Sequence, residues 1–231
     1  MQTIQLDTVD STNKYALAHL DELADRAVVT AEEQTAGRGR LNRIWLSPRG
    51  ENIYCSIILK EQKNNPLLTI LAALAAAQTI RSYGLAARIK WPNDVLVEGK
   101  KICGVLAESN SQGLVIGLGV NVNMSAENLA ALDQPATSLR AETGQIHDRE
   151  KFLRELLEKF FALYEQAQNA GFAKLVETWQ NEIDLIGKKV KIQTVQQEFY
   201  GTVIQVDKAG ALLVATAQGV EKVLAGDVHV V

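Results

Sequence analysis

The sequence predicts an α+β protein whose larger part combines strands and helices and whose last part is all β. Residues 52–59 form an apolar run typical of a central strand, and an alanine- and leucine-rich stretch after Pro66 is typical of a buried helix. After Gly187 the pattern changes to short alternating runs separated by turn-forming residues. We therefore expect one domain over residues 1–186 and a small antiparallel barrel or sandwich over residues 187–231.

The first elements follow from local start and stop signals. Residues 10–13 are of the type that caps a helix, and apolar residues follow them at roughly helical spacing. Residues 26–34 are short and β-branched, which predicts a strand. The helix that begins at Pro66 should run to about Tyr83, because Gly84 is a suitable stop.

The middle of the chain predicts several short strands. Residues 87–109 indicate a strand, a break at Pro92, a second strand, a turn around Gly99 and a third strand. Residues 114–122 predict a further strand, in which closely spaced glycines let another group approach the backbone. Residues 124–147 are irregular, with one helical turn.

Residues 148–168 give the clearest helix of the chain. Its apolar side chains recur at helical spacing and form one stripe beneath a charged face. The stripe consists of Phe152, Leu153, Leu156, Leu157, Phe160, Phe161 and Tyr164. We expect this stripe to pack on the core.

The composition is that of a globular protein without a broad electrostatic partner. Hydrophobic residues make up 47% of the 231, and the net charge is −3, so neither duplex DNA nor an anionic membrane is indicated. Cys55 and Cys103 lie in apolar segments without a CxxC pattern, which favours buried thiols in a reducing compartment. The three histidines lack metal-ligand spacing. No secretory pattern or membrane-length apolar run is visible, so we expect a cytoplasmic protein.

The segment TAGRGRLNRIW, residues 35–45, has the composition of an anion-binding loop. Arg38, Arg40 and Arg43 lie around two glycines, and no acidic residue follows until Glu51. Glycines let backbone N–H groups turn toward a ligand, and guanidinium groups bind phosphate or carboxylate oxygens in pairs. An arginine-rich surface turn is the alternative. The segment matches neither the phosphate loop of nucleotide hydrolases nor the dinucleotide fingerprint.

A second polar group lies where the strands of residues 87–109 are broken. Asn93 and Asp94 follow the break, a position suited to presenting side chains. Lys100 and Lys101 lead into an apolar strand, and a lysine that enters a core strand is costly unless it meets an anion. The alternative is a strand-end lysine whose ammonium reaches solvent. The spacing does not decide which of the two lysines points inward.

Two further segments offer polar or open positions. Gly117, Gly119 and Asn121 alternate along one strand, so all three point to the same face. Asn121 could bind a ligand there or cap the next turn. Ser11 and Thr12 could present hydroxyl groups to a polar head group, or act only at the helix N-terminus.

Together these segments resemble the biotin protein ligases. The resemblance rests on DSTN, EEQTAGRGR with the following tryptophan, KWPNDVLVEGKKICG, IGLGVNVN and ATSLRAETG, and it covers nearly the whole chain. It implies a mixed β-sheet flanked by helices, related to the catalytic core of class II aminoacyl-tRNA synthetases, and a small C-terminal SH3-like β-barrel. It also implies that ATP and Mg²⁺ activate biotin as biotinyl-5′-adenylate, which a lysine of a biotin carboxyl carrier protein or domain then receives.

The resemblance implies roles for individual residues. Those implied to bind biotin are Ser11, Thr12, Gln34, Gly37, Arg38, Lys101, Gly104 and Gly117. Those implied to bind the nucleotide are Arg38, Arg40, Arg43, Trp45, Lys101 and Asn121. The implied catalytic residues are Lys101, Arg38 and Asp94. No metal site built by the protein is implied, since Mg²⁺ arrives with the ATP phosphates and Asp94 is its one candidate ligand.

The chain departs from the family pattern at two places. Leu41 and Asn42 stand where the family usually has Arg-Gly, so one positive charge is lost. Since asparagine tolerates the left-handed conformation that glycine would adopt, the turn should survive. Only ten residues precede Ser11, so we expect a ligase without an N-terminal DNA-binding domain. The resemblance leaves a monomer and a homodimer both open.

Two other functions remain as alternatives. A lipoyl or octanoyl ligase or transferase would share the fold, but the arginine-and-triple-glycine motif of that class is not found here. A non-catalytic biotin-binding protein would not need a set of cations for phosphate.

Overall fold

The computed structural model describes residues 2–63, 65–183, 185–194 and 196–231, without the side chain of Asn42. Its larger part is built from seven strands and six helices. These are β1 (Thr3–Val9), α1 (Thr12–Ala18), β2 (Val28–Gln34), β3 (Ile53–Leu59), α2 (Pro66–Ser82), β4 (Ala87–Lys90), β5 (Asp94–Val97), β6 (Lys100–Asn110), β7 (Gly113–Val120), α3 (Ala126–Ala130), α4 (Leu139–Thr143), α5 (Arg149–Ala170) and α6 (Ala173–Gln180).

The seven strands form one mixed sheet in the order β1-β2-β3-β7-β6-β5-β4. β1 and β2 are parallel, and the other neighbouring strands are antiparallel. β3 is buried along its whole length, because both faces of the sheet are covered there. The expected mixed sheet flanked by helices is confirmed.

The helices cover the two faces of the sheet unequally. α2 contacts β4, β5, β6 and β7, and α5 packs on α2 from outside. On the opposite face, α1 contacts β2, β3, β6 and β7 and closes a small core around Ile58 and Val115. α1 is short, so it leaves the end of β7 near Val120 uncovered on that face. The cavity described below lies there.

The predicted stripe on the long helix is confirmed in α5. Phe152, Leu156, Phe160 and Tyr164 are buried with Leu157, and the remaining members of the stripe pack beside them partly buried. The Asp148 carboxylate caps the helix by accepting from the Lys151 N–H at 3.0 Å.

The C-terminal part is a five-stranded antiparallel sheet. Its strands are β8 (Lys189–Gln193), β9 (Glu198–Val206), β10 (Leu212–Thr216), β11 (Gly219–Val223) and β12 (Asp227–Val230), in the order β11-β10-β9-β8-β12. The expected small β unit is thus present. Among the described residues no ladder joins β11 to β12, so hydrogen bonds do not close it into a barrel. The predicted division at residue 186 lies between α6 and β8 and stays a prediction.

The two parts of the chain meet at a buried tryptophan. Trp91, which precedes the break between β4 and β5, is 2% exposed, and its indole N–H donates to the Gly210 carbonyl at 3.2 Å. Gly210 has a φ of 83° and lies so close to Ile70 of α2 that a Cβ would come within 2.5 Å of it. Gln180 adds a hydrogen bond of 2.7 Å to the Val206 carbonyl. Trp91 therefore joins the two parts and is not presented to solvent.

Some elements differ from those expected. β1 and α6 were not predicted, and the irregular stretch after β7 contains two short helices instead of one turn. No residue of β1 is fully buried, because the strand lies at the edge of the sheet, so its hydrophobic signal is weak. In the described ranges, no helix combines the length and apolarity that crossing a bilayer requires.

We predict that Trp91→Phe destabilises the protein more than Trp179→Phe. Both tryptophans are fully buried, but the Trp179 indole N–H has no hydrogen-bond partner among the described residues, whereas that of Trp91 does. Trp91→Phe removes the hydrogen bond to the Gly210 carbonyl, which lowers the free energy of unfolding by about a further 1 kcal/mol. Chemical denaturation of both variants measures the difference, and an equal or greater loss in Trp179→Phe contradicts the assignment.

Candidate functional site

A cavity of about 720 Å³ opens on the sheet face that α1 leaves uncovered. β6 and β7 form its floor, and residues 35–45, here called the arginine loop, form one wall. The predicted site residues that line it are Ser11, Thr12, Gln34, Arg38, Arg40, Arg43, Trp45, Asp94, Lys101, Gly104, Gly117 and Asn121. The fold thus brings together residues from four separate segments of the sequence, at 11–12, 34–45, 94–104 and 117–121.

Gly37 is the predicted residue that does not line the cavity. Its carbonyl accepts from the Trp45 N–H at 2.9 Å, which closes the arginine loop on itself. A Cβ at Gly37 would lie 2.3 Å from the Trp45 carbonyl oxygen and 2.6 Å from Ser47 Oγ. The glycine is therefore needed for the shape of the loop.

Two glycines make the floor of the cavity flat. Gly104 on β6 and Gly119 on β7 are direct cross-strand partners. The Trp45 indole lies on them so closely that a Cβ would fall 2.4 Å from the ring at Gly119 and 2.9 Å from it at Gly104. The Trp45 indole nitrogen is buried without a hydrogen-bond partner among the described residues. The close approach expected at these glycines is made by the protein's own side chain.

Lys101 is the lysine that points into the cavity. Its Nζ lies 2.7 Å from Asp94 Oδ1 and 5.3 Å from the centre of the Trp45 ring. Lys100 instead reaches Glu142 at 2.9 Å and does not line the cavity. Lys101 therefore has the anionic partner that a lysine on a core strand requires, and that partner is Asp94 of the same chain.

Two of the arginines are held by groups on the sheet and beyond it. Arg38 lies 3.3 Å from a carboxylate oxygen of Glu108. Arg40 donates to Asn93 Oδ1 at 2.8 Å and to the Gly226 carbonyl at 3.4 Å. Burial lowers the pKa of Arg40, and the carboxylates of Asp227 and Asp94 oppose that change.

Arg43 forms an ion pair with Asp227, which lies on β12 of the C-terminal sheet. Burial works against ionisation of Asp227, but Arg43, Arg40 and Lys90 keep its pKa below the ordinary value. The C-terminal sheet thus contributes a carboxylate to the wall of the cavity. An anionic ligand would meet cations that already have partners.

The opposite end of the cavity carries neutral polar groups. Ser11 caps α1 by accepting from the Lys14 N–H, so its helix-capping role is confirmed. The Thr12 N–H donates to Gln34 Oε1 at 2.9 Å, and Gln34 Nε2 donates to Ser47 Oγ at 2.9 Å. These contacts give the side chains one fixed arrangement at the end of the arginine loop.

Asn121 lines the cavity but has a structural contact of its own. Its side chain is 3% exposed, and its Nδ2 donates to the Thr137 carbonyl at 3.0 Å. Thr137 in turn donates its N–H to the Lys101 carbonyl. Asn121 therefore helps to hold the segment that leads to Thr137 beside β6, a long-range contact and not the cap of the next turn that was the alternative.

The left-handed residue of the arginine loop is Leu41, with φ 53° and ψ 38°. We expected Asn42 to take that conformation, and this expectation was wrong, because within the turn Arg40–Asn42 the left-handed backbone lies one residue earlier. Leu41 is 55% exposed, so its side chain adds no packing that offsets the backbone strain.

Sequence reasoning missed several residues of the site. Asn13, Glu108 and Asp227 contact predicted site residues or line the cavity, and residues 131–136 form much of its far wall. Asn13 stood inside the DSTN motif, which gave a signal. Asp227 is 184 residues from Arg43, and nothing local marks it.

The fold is a mixed sheet flanked by helices, with a cavity lined by cationic side chains on one face. Residues 6–124 match the Biotin/lipoate A/B protein ligase family, and residues 185–231 match the Biotin protein ligase C terminal domain. The chain belongs to the biotin protein ligase family.

Similar proteins match the chain along nearly its whole length. It is 34% identical to a Bifunctional ligase/repressor BirA of Bacillus spizizenii, over 98% of this chain and 73% of that protein. It is also 34% identical to a Biotin--[acetyl-CoA-carboxylase] ligase of Paracoccus denitrificans, over 96% and 98%. The solved biotin protein ligase from Aquifex aeolicus in complex with biotin and ATP has a TM-score of 0.86 at 28% identity, over 99% of this chain and 97% of that chain.

We predict that Gly119→Ala displaces the Trp45 indole from the floor. The new methyl group would overlap the ring, which must move toward solvent. The fluorescence of Trp45, isolated by subtracting the spectrum of Trp45→Phe in each background, should shift to longer wavelength. An unchanged Trp45 spectrum in Gly119→Ala would show that the ring does not lie on the glycine pair.

Proposed function

We propose that this protein is an ATP-dependent ligase. It activates biotin as biotinyl-5′-adenylate and transfers the biotinyl group to a lysine of a biotin carboxyl carrier protein or domain. The observation that carries the proposal is the convergence of Lys101 and Arg38 on one cavity. The name of the Paracoccus denitrificans relative and the biotin and ATP in the Aquifex aeolicus structure support it.

The first half-reaction brings two anions together. A carboxylate oxygen of biotin bonds to the α-phosphorus of ATP, the bond from that phosphorus to the β-bridging oxygen breaks, and pyrophosphate leaves. Two unit charges 4 Å apart repel by about 4 kcal/mol at an effective dielectric constant of about 20. Lys101 and Arg38 offset this repulsion and stabilise the charge that develops on the phosphoryl oxygens. Alignment of the two reactants supplies much of the remaining rate.

The second half-reaction transfers the biotinyl group to an amine. The nitrogen of the carrier lysine bonds to the carbonyl carbon of the mixed anhydride, and AMP leaves with the electrons of the broken bond. The amine must lose a proton in this step. Asp94 is our candidate for accepting or orienting that proton, because it lies 2.7 Å from Lys101 in the cavity.

The two ends of the cavity suggest how the substrates divide it. We assign the ureido group of biotin to the neutral end, where Ser11, Thr12 and Gln34 meet, with Gly37 and Gly117 near it. We assign the nucleotide to the cationic end and its far wall, which hold Arg40, Arg43, Trp45 and Asn121. A ligand contact to the backbone of Gly104 requires the Trp45 indole to shift first.

Mg²⁺ is proposed as a partner of the ATP phosphates. Within the described residues no three His, Cys, Asp or Glu side chains come together as a metal site. Magnesium bound to a nucleotide keeps several waters and needs only one or two carboxylates. Asp94 fits that requirement, and bound magnesium would supply further positive charge at the phosphates. A monomer or homodimer without DNA binding stays a prediction.

The proposal is tested by biotin-dependent exchange of labelled pyrophosphate into ATP. Exchange that requires biotin supports the ligase. Exchange that requires lipoate or octanoate instead indicates a lipoyl or octanoyl ligase. Biotin binding without any exchange indicates a non-catalytic biotin-binding protein.

Lys101→Ala is expected to lower biotin-dependent exchange by 10²-fold or more, the usual effect of removing a group placed for transition-state charge. The matched control is Lys100→Ala, because Lys100 pairs with Glu142 outside the cavity. Both variants should unfold at similar denaturant concentrations. Near-normal exchange by Lys101→Ala would remove Lys101 from the mechanism.

Arg40→Ala is expected to speed release of the adenylate about tenfold, since a lost hydrogen bond to a charged group costs on the order of 1.5 kcal/mol. Trapping of the released intermediate from preloaded protein measures the rate. Arg49→Ala serves as control, because Arg49 pairs with Asp7 and does not line the cavity. Equal release from both variants contradicts a role for Arg40 in retention.

A further inference from the structure

A chain of polar contacts runs beneath the cavity from its neutral end to its cationic end. Thr12 donates its hydroxyl to Gln34 Oε1 at 3.2 Å. Ser56 Oγ lies 2.9 Å from Thr12 Oγ1 and donates to Asn13 Oδ1 at 2.6 Å. Asn13 donates to Glu108, and Glu108 forms an ion pair with Arg38. The chain connects α1, β2, β3, β6 and the arginine loop.

Asn13 is a fixed point in this chain. Its side chain is 3% exposed and packs against Gly117, where a Cβ would fall 2.3 Å from Asn13 Oδ1. Its Oδ1 accepts from Ser56, and its Nδ2 donates to the Leu106 carbonyl at 3.1 Å and to Glu108 Oε2 at 3.0 Å. Both amide protons are used, so the group that faces Glu108 is a donor.

Glu108 uses its two carboxylate oxygens for different partners. Oε2 accepts from Asn13, and Oε1 lies 3.3 Å from a terminal nitrogen of Arg38. The Glu108 side chain is 20% exposed on β6, whereas the Arg38 side chain is 44% exposed on a loop between two glycines. Glu108 therefore ties a side chain of the loop to the rigid sheet.

We propose that Glu108 is a positioning residue that holds Arg38 over the cavity for the adenylation step. A guanidinium has five N–H donors, so one can remain on Glu108 while the others bind the biotin carboxylate or the phosphate. Arg38 then loses less side-chain freedom when the ligand binds, because Glu108 has already restricted it. The proposal rests on the ligase activity proposed above and adds a residue that does not touch substrate.

Glu108 could instead weaken ligand binding, and an experiment can distinguish this from positioning. A carboxylate next to Arg38 could compete with the anionic ligands, and its removal would then improve biotin binding or exchange. Positioning and competition thus give effects of opposite sign in Glu108→Ala. Under the proposal, Glu108→Ala lowers the kcat/KM of biotin-dependent exchange by about tenfold. Glu33→Ala is the matched control, because Glu33 pairs with Arg49 and does not line the cavity, and it should change exchange less than twofold.

A double-mutant cycle separates positioning from a purely structural role. If Glu108 acts through Arg38, Glu108→Ala changes nothing further once Arg38→Ala is present. If Glu108 only supports the fold through Asn13, the fold-decrease in kcat/KM caused by Glu108→Ala multiplies the fold-decrease caused by Arg38→Ala. Where Arg38→Ala exchanges too slowly to measure, the same cycle is run on the dissociation constant for biotin, by calorimetry.

The outcomes are distinct. A tenfold loss in Glu108→Ala that vanishes in the Arg38→Ala background supports the proposal, provided that both variants unfold like the wild type. Multiplicative losses, an unchanged Glu108→Ala, or improved binding of biotin each overturn it. No exchange by the wild-type protein refutes the proposed ligase instead, and the cycle on biotin binding still decides the role of Glu108.

Discussion

Along β7 the side chains alternate between a packed face and an open one. Ile116, Leu118 and Val120 enter the core beneath α2, and the residues between them are Gly117 and Gly119. Because successive side chains of a strand point to opposite faces, the same eight residues build the core and the floor of the cavity. A shift of register by one residue would turn the glycines toward the core and the apolar side chains toward the cavity, so both the core and the cavity floor would be lost.

Three of the cations around this floor are paired with carboxylates of the chain itself. Lys101, Arg38 and Arg43 each lie against a carboxylate, from Asp94, Glu108 and Asp227 respectively. Such pairs keep the cations from being stranded in a partly buried site, which would be costly. At Lys101 and Arg43 an incoming anion would compete with the carboxylate already there. Arg38, in contrast, can keep its contact with Glu108 and bind a ligand with its other N–H donors.

Much of the fold was predictable because its signals are local. α2 begins at its proline, β3 shows its burial as an unbroken apolar run, and the stripe of α5 has helical period. β1 was missed because an edge strand needs few apolar residues. α6 is short, with only three buried side chains, and was missed for a similar reason.

The site was predictable where a resemblance or a local pattern marked it, and not where contacts are long-range. The cavity does collect Lys101 and the arginines, as expected, but their roles in chemistry stay predictions. Spacing alone left the choice between Lys100 and Lys101 open, because adjacent residues on a strand differ only in the face they occupy. The resemblance implied Lys101, and the structure places that lysine in the cavity. The contact between Arg43 and Asp227 depends on how two sheets dock, which no short segment encodes.

The glycine pair beneath Trp45 has a consequence for how such a protein can diverge. Gly104 and Gly119 face each other across two strands, and one flat ring lies on both. A larger residue at either position is compatible with the structure only if the ring becomes smaller or departs. The three positions should therefore covary as a group. A change at any one of them would alter the shape of the cavity floor and so the shape of the ligand that fits it.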